Sequence, residues 1–247
     1  MELLYPTKQL WRKTVSPDTP ALSGKKLKRL NQLLKNQQLL GITHEIKALD
    51  ESYLEWFLPF YEAGIQSKNN GHVYDVKERT LDNVGSKYPF LALEIKQNGL
   101  RVGGSIFSCR DKSGSVAFKM YQPGWNSGNA QLTPSQFSEH LMYQWALENQ
   151  KPFLLHGQDR NPYGLNSAIG LCEYKLSVGY IPMLPKKAEV ANLQTEEINQ
   201  DILCFLLPEK GKRLSKNAVL LCNQETLPKY EKLQKYQDIF DLQVITR

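Results

Sequence analysis

Long hydrophobic runs are missing from this sequence. A membrane-spanning helix needs about 18 to 20 successive apolar residues, and the longest run here, Ile202 to Leu207, stops after six at Pro208. The opening segment, Met1-Glu2-Leu3-Leu4-Tyr5-Pro6, lacks the basic, apolar and small-residue regions of a secretory signal. No Asn-x-Ser/Thr acceptor occurs either. No membrane span and a cytoplasmic location are therefore expected. Cysteine is also scarce. Cys109, Cys172, Cys204 and Cys222 each lie in an apolar segment and none forms a C-x-x-C pair. That spacing speaks against a disulfide framework or a zinc site, so they read as buried, reduced thiols and no metal is expected. Absent too are a Walker A loop, G-x-G-x-x-G, G-x-S-x-G and H-E-x-x-H.

What is present suits a packed globular chain. Of 247 residues, 41% are hydrophobic and 23% charged, close to the globular average, and the length allows one large domain or two small ones. The net charge is +6, concentrated in Lys25-Lys26-Leu27-Lys28-Arg29 and between Lys210 and Lys216. Such runs attract polyanions or form solvated helix faces. Basic and aromatic residues do not interleave as in an RNA-binding signature, so nucleic acid is not the expected partner.

Residues 1–24, with Pro6, Pro17, Pro20 and Gly24, read as an irregular arm. Lys25 to Leu40 has leucines at helical spacing and ends at Gly41. Together they make a basic N-terminal arm and helix, 1–40, ahead of a single domain, 41–247. Ile42 to Ile46 alternates as a strand, and Asp50 or Ser52 caps a helix through Phe60. The stretch Lys68 to His72 marks a loop. Tyr88 to Ile95 is a strand, Asn98-Gly99 a hairpin turn, Arg101 to Cys109 its partner, Asp111 to Gly114 a second turn and Ser115 to Tyr121 a third strand. Gly103-Gly104 inside the second strand suits a bulge or a close backbone approach.

A glycine-containing loop, Gln122 to Asn129, leads to Thr133-Pro134-Ser135-Gln136, which reads as N-cap, first helical position and reciprocal capping-box residue. Free N–H groups at such a start favour an anion; an ordinary strand-to-helix connection is the other reading. Phe153 to His156 is a short strand ended by Gly157. A polar loop through Pro162 then precedes a helix carrying Leu165, Ile169, Cys172 and Leu176 and ending at Gly179. Strands near 202–207 and 218–222 and a charged helix around 227–240 complete the chain. Meander, helix, strand and helix in that order imply a mixed, largely antiparallel sheet flanked by helices, an α+β protein.

The segment Tyr121 to Gly179 resembles the GNAT acyltransferase core, and more specifically its FemAB/CelD-type branch. The residues carrying the likeness are Tyr121 with Gly124 and Ser127, Leu132-Thr133-Pro134, Phe153-Leu154-Leu155-His156-Gly157, and Gly170 to Gly179 with its Gly-Leu and Tyr174-Lys175 pattern. Two departures stand out. The superfamily's Gln/Arg-x-x-Gly-x-Gly/Ala phosphate motif is not matched by Gln122 to Asn129, and Leu155 occupies a position where the branch tends to carry Asp.

The resemblance implies transfer of an acyl group from acyl-CoA (acetyl-CoA) or an acyl carrier protein's thioester to a primary amine of a small molecule, such as an amino sugar or nucleotide-linked sugar. Aminoacyl transfer from charged tRNA, as in other members of the branch, and a non-catalytic binding module are the alternatives. In the transfer reading Lys175 contacts the donor or stabilises charge at the reacting carbonyl. Tyr174 packs in the core or protonates a leaving thiolate. His156, with an ordinary pKa near ~6.5, is a candidate base or a structural histidine, and Asp159 orients it or the amine. Gly124, Trp125, Ser127, Thr133 and Ser135 are the donor-binding candidates. Tyr121, with Trp125, lines the acceptor pocket, and Glu94 is a further candidate base.

Overall fold

The structure is a computed structural model. It describes residues 2–67, 72–83, 85–160, 169–187, 189–198 and 200–247, with backbone only at 158–160 and 197. In chain order the strands are β1 (Glu2–Pro6), β2 (Lys8–Thr14), β3 (Ile42–Ala48), β4 (Phe90–Gln97), β5 (Leu100–Arg110), β6 (Ser113–Tyr121), β7 (Phe153–Arg160), β8 (Ile181–Met183), β9 (Val190–Gln194), β10 (Ile202–Phe205), β11 (Asn217–Cys222) and β12 (Asp241–Thr246). The α-helices are α1 (Gly24–Asn36), α2 (Glu51–Gln66), α3 (Val76–Arg79), α4 (Pro134–Glu148) and α5 (Ile169–Ser177). Contacts divide the chain into two compact units, Lys13–Leu155, and Met1–Arg12 with His156–Arg247.

In the Lys13–Leu155 unit β3, β4, β5 and β6 pair antiparallel in sequence order. Asn98 (φ 52°) and Gly99 (φ 80°) turn the β4–β5 hairpin, the two positive φ values that a tight hairpin turn requires. Because side chains alternate along a strand, each sheet face has its own helix. Tyr53, Phe57 and Tyr61 of α2 pack with Ala92, Ile106, Phe118 and Met120. On the opposite face, α4 sets Trp145 edge-on to Phe107 at 4.8 Å and Ser138 Oγ 3.0 Å from Ser105 Oγ. Asp50 caps α2 by accepting from Tyr53 N–H at 2.7 Å. Thr133 and Gln136 form the reciprocal capping box of α4. This is the expected mixed, largely antiparallel sheet flanked by helices.

In the other unit β1 pairs antiparallel with β9, and β2 with β8 through Trp11↔Pro182. Strand β11 lies between β10, antiparallel, and β12, parallel. Trp11, Phe205 and Phe240 form an edge-to-face series, at 5.5 and 5.4 Å.

Several sequence expectations are corrected. Residues 2–14 are two strands, not an irregular arm. The buried side of β2 is Gln9, Trp11 and Lys13, so its alternation carries no apolar signature. Helix α1 stops at Asn36, and Gly41 (φ 61°) serves the turn into β3. The second meander turn is Asp111-Lys112, since β6 begins at Ser113. Strand β7 passes through Gly157 to Arg160, and β10 ends at Phe205. The tail is a 3₁₀-helix over Leu227–Tyr236 followed by strand β12, with Leu233 and Tyr236 buried three residues apart, as a three-residue repeat requires. Half-exposed Cys109 departs from the buried set; Cys172, Cys204 and Cys222 are buried, and none of the four is in a disulfide. Leu165, residues 68–71 and 161–162, and the side chains of 158–160 fall outside the described residues.

Candidate functional site

The loop after β6 is built on its own polar groups. Trp125 Nε1 donates to Leu132 O at 2.7 Å, Leu132 N–H donates to Ser127 Oγ at 3.1 Å, and the Trp125 ring stacks on Phe137 at 5.7 Å. At the start of α4, Pro134 has no N–H, Gln136 N–H bonds Thr133 Oγ1 and Phe137 N–H bonds Thr133 O. Three groups that an anion would use there are thus engaged or absent. Of the donor-binding candidates, Trp125, Ser127 and Thr133 shape the loop, Ser135 sits in the first turn of α4, and Gly124 (φ 103°) opens onto a cavity of about 340 Å³.

Gln97, Asn98, Arg101, Gln122 and Asn126 also line this cavity. Gln97 holds its rim, donating to Asn126 O at 2.8 Å and accepting from Asn126 N–H at 2.8 Å. Behind it stands Glu94, buried, with Lys96 Nζ 2.5 Å from Oε1 and Arg101 Nε 2.8 Å from Oε2. Oε2 makes no hydrogen bond, because Nε approaches it off the N–H direction; the contact is an ion pair. Tyr121 lies against Gly103 with its hydroxyl buried and without a partner among the described residues. Tyr53 Oη donates to Leu93 O at 2.8 Å. Its phenol is held well above the ordinary value by burial first, then by Glu94 and Tyr121, which places these three groups in one electrostatic neighbourhood.

The other unit carries the remaining candidates. Lys175 on α5 is buried, 3% exposed, with Nζ 5.4 Å from the centre of the Trp11 ring. His156 on β7 is buried edge-on to Tyr180 at 4.8 Å, and Tyr180 N–H donates to Lys175 O at 3.0 Å. Tyr174 is half-buried, and its carbonyl accepts from Ser177 Oγ at 2.7 Å. Neighbouring Glu173 turns outward to Lys232 and Lys235. The Asp159 side chain lies outside the described residues. No group of three or more potential metal ligands occurs among the described residues, nor is any helix long and apolar enough to cross a membrane.

Sequence reading missed Trp11, Trp56 and Arg101. Only the pair Gly103-Gly104 signalled the neighbourhood of the last two. A Cβ at Gly104 would collide with Tyr53 Oη and lie 3.0 Å from the Trp56 ring.

No protein-family model matches this chain, and no curated protein matches it. Among solved structures it is similar to L-PGS from Bacillus licheniformis, at 14% identity and a TM-score of 0.49 over 80% of this chain and 63% of that one. It is similar to the C-terminal domain of a putative lysylphosphatidylglycerol synthetase from Agrobacterium fabrum, at 12% identity and 0.47 over 78% and 61%. A tandem GNAT protein from the clavulanic acid biosynthesis pathway gives 9% identity and 0.43 over 76% and 53%. The chain spans less than two thirds of the length of each of these three.

Proposed function

We propose that this chain is an N-acyltransferase that moves an acyl group from a thioester, acyl-CoA or an acyl carrier, to the primary amine of a small molecule. The observation that carries the reading is the burial of Lys175, the residue singled out by the resemblance over Tyr121 to Gly179. A lysine near a helix C-terminus ordinarily keeps its ammonium in water, where the helix dipole already favours it. Here it is 3% exposed over an indole ring, an arrangement that costs desolvation and suits a positioned cation.

In this reading the neutral amine attacks the thioester carbonyl carbon. The C–N bond forms, the carbonyl oxygen takes up negative charge that Lys175 stabilises, and the C–S bond then breaks. The amine gives its proton to a base, for which His156 is the candidate, and the leaving thiolate is protonated by Tyr174 or solvent. Proximity supplies much of the acceleration. Thioester and acceptor are substrates, so no resident cofactor is needed.

A second reading, a binding module without turnover, is favoured by the loop at 122–136, whose polar groups serve the loop itself, and by Leu155. The two separate cleanly. Purified chain is incubated with a panel of acyl-CoA and acyl-carrier thioesters and primary amines, and free thiol is followed. Amine-dependent thiol release supports the transferase. No release across the panel, with no donor binding by calorimetry, overturns it.

A further inference from the structure

Arg101 has no part in the transfer reading, yet it is held on two sides. Its Nε lies against Glu94, which is buried, and its guanidinium sits 5.2 Å from the centre of the Trp56 ring. Gln122 ties the arrangement together: with its amide oxygen and nitrogen assigned so that each meets a complementary group, it accepts from Trp56 Nε1 at 3.0 Å and donates to Arg101 O at 3.1 Å. One edge of the guanidinium and one face are thus held. Among the described residues nothing accepts a hydrogen bond from Nη1 or Nη2. Arg101 lines a cavity, and its guanidinium carries more donors than the Glu94 contact uses.

The surroundings favour a negative ligand. Around the cavity stand Gln97, Asn98, Leu100, Gln122 and Asn126, and among the described residues no carboxylate lines it. Two cations, Lys96 and Arg101, contact the one buried carboxylate, Glu94. Asp50, whose carboxyl also feels Arg101, is paired with Lys47 at 3.1 Å. The volume of about 340 Å³ falls at the small end of ligand pockets. We propose that this cavity binds the oxyanion of a small molecule, a carboxylate or a phosphate monoester, in the planar fork of Arg101. Two parallel N–H donors match two oxygens of either group.

Binding is testable without any turnover, so its failure leaves the transferase reading standing. The intact chain is titrated with inorganic phosphate, and separately with acetate, at constant ionic strength, following the fluorescence that disappears in Trp56→Phe and confirming by calorimetry. Saturable binding of either anion is expected, and the stronger of the two identifies the source. Arg101→Lys keeps the charge but loses the fork, and should weaken binding at least about tenfold. Asn126→Asp, at an exposed position whose Oδ1 still accepts from Gly128 N–H, should weaken it by about threefold or more through repulsion. Exposed Leu100→Lys should tighten it. A linear, non-saturating response overturns the proposal, as does equal affinity in all variants. Stoichiometric displacement of phosphate by coenzyme A also overturns it, by giving the cavity to the thioester donor.

Discussion

Tyr53 Oη stands where a side chain at residue 104 would begin, and it uses that space to donate to Leu93 O at 2.8 Å. Helix α2 therefore approaches the sheet more closely at Gly104 than any residue with a Cβ permits. Gly104→Ala should cost about 2 to 3 kcal/mol, in the range of core overpacking. Tyr53→Phe alone should cost about 1 kcal/mol for the lost hydrogen bond. The double variant should be less destabilised than the sum of the two, because the hydroxyl that the new methyl meets is gone. Urea unfolding of the four proteins measures this, and strict additivity would refute the close approach.

On the opposite face, α4 buries an ion pair. Glu139 is fully buried and meets Lys119, whose side chain is 12% exposed; Lys13 also acts on Glu139 electrostatically. Lys119→Met leaves a buried carboxylate with a reduced complement of positive charge, a change typically worth about 3 to 5 kcal/mol; the remaining Lys13 should hold it near the lower end. Lys119→Met with Glu139→Met should recover at least half of the loss. A double variant as unstable as the single one would show that the pair contributes beyond mutual neutralisation.

The elements that could be read from sequence are those whose signals are local. Asn98-Gly99 fixes its hairpin by backbone conformation alone, and Thr133 and Gln136 satisfy each other within one turn. Strand β2 was hidden because two of its three fully buried side chains, Gln9 and Lys13, are polar, and their acceptors, Met183 O and Ala21 O, come from tertiary structure. The same limit applies to the site. Lys175 was recognisable as a candidate, but its burial depends on Trp11 from the other end of the chain. Arg101 could not be distinguished from other surface cations until α2 brought Trp56 beside it.

His140 makes stability depend on pH. Its pKa is lowered to about 4, by burial first and then by repulsion from His44 and Lys13. His44 is itself shifted down by burial. A base with a depressed folded pKa stabilises the native state fully above its unfolded value, near 6.5, and that contribution is lost as pH falls toward 4. The full span corresponds to about 3 kcal/mol at most. Wild type should therefore lose stability between pH 6.5 and 4.5 more steeply than His140→Gln, which cannot take up the proton. Parallel curves from chemical denaturation across this window would rule out His140 as the source.

Lys175 offers the sharpest separation of structure from chemistry. Its ammonium is buried over Trp11, so its removal has two independent consequences. Methionine is similar in length and can keep the packing against Trp11, so Lys175→Met reports through Tm what the ammonium itself contributes to stability. If the ammonium stabilises oxyanion charge in the transition state, the same variant should lose about 100- to 1000-fold in kcat with little change in KM. Lys175→Arg, which retains the charge in a bulkier head, should recover part of that loss. A lysine that merely packs against Trp11 predicts the reverse: kcat unchanged in all three proteins, with any difference confined to Tm. Measuring both quantities on one set of variants decides between the two.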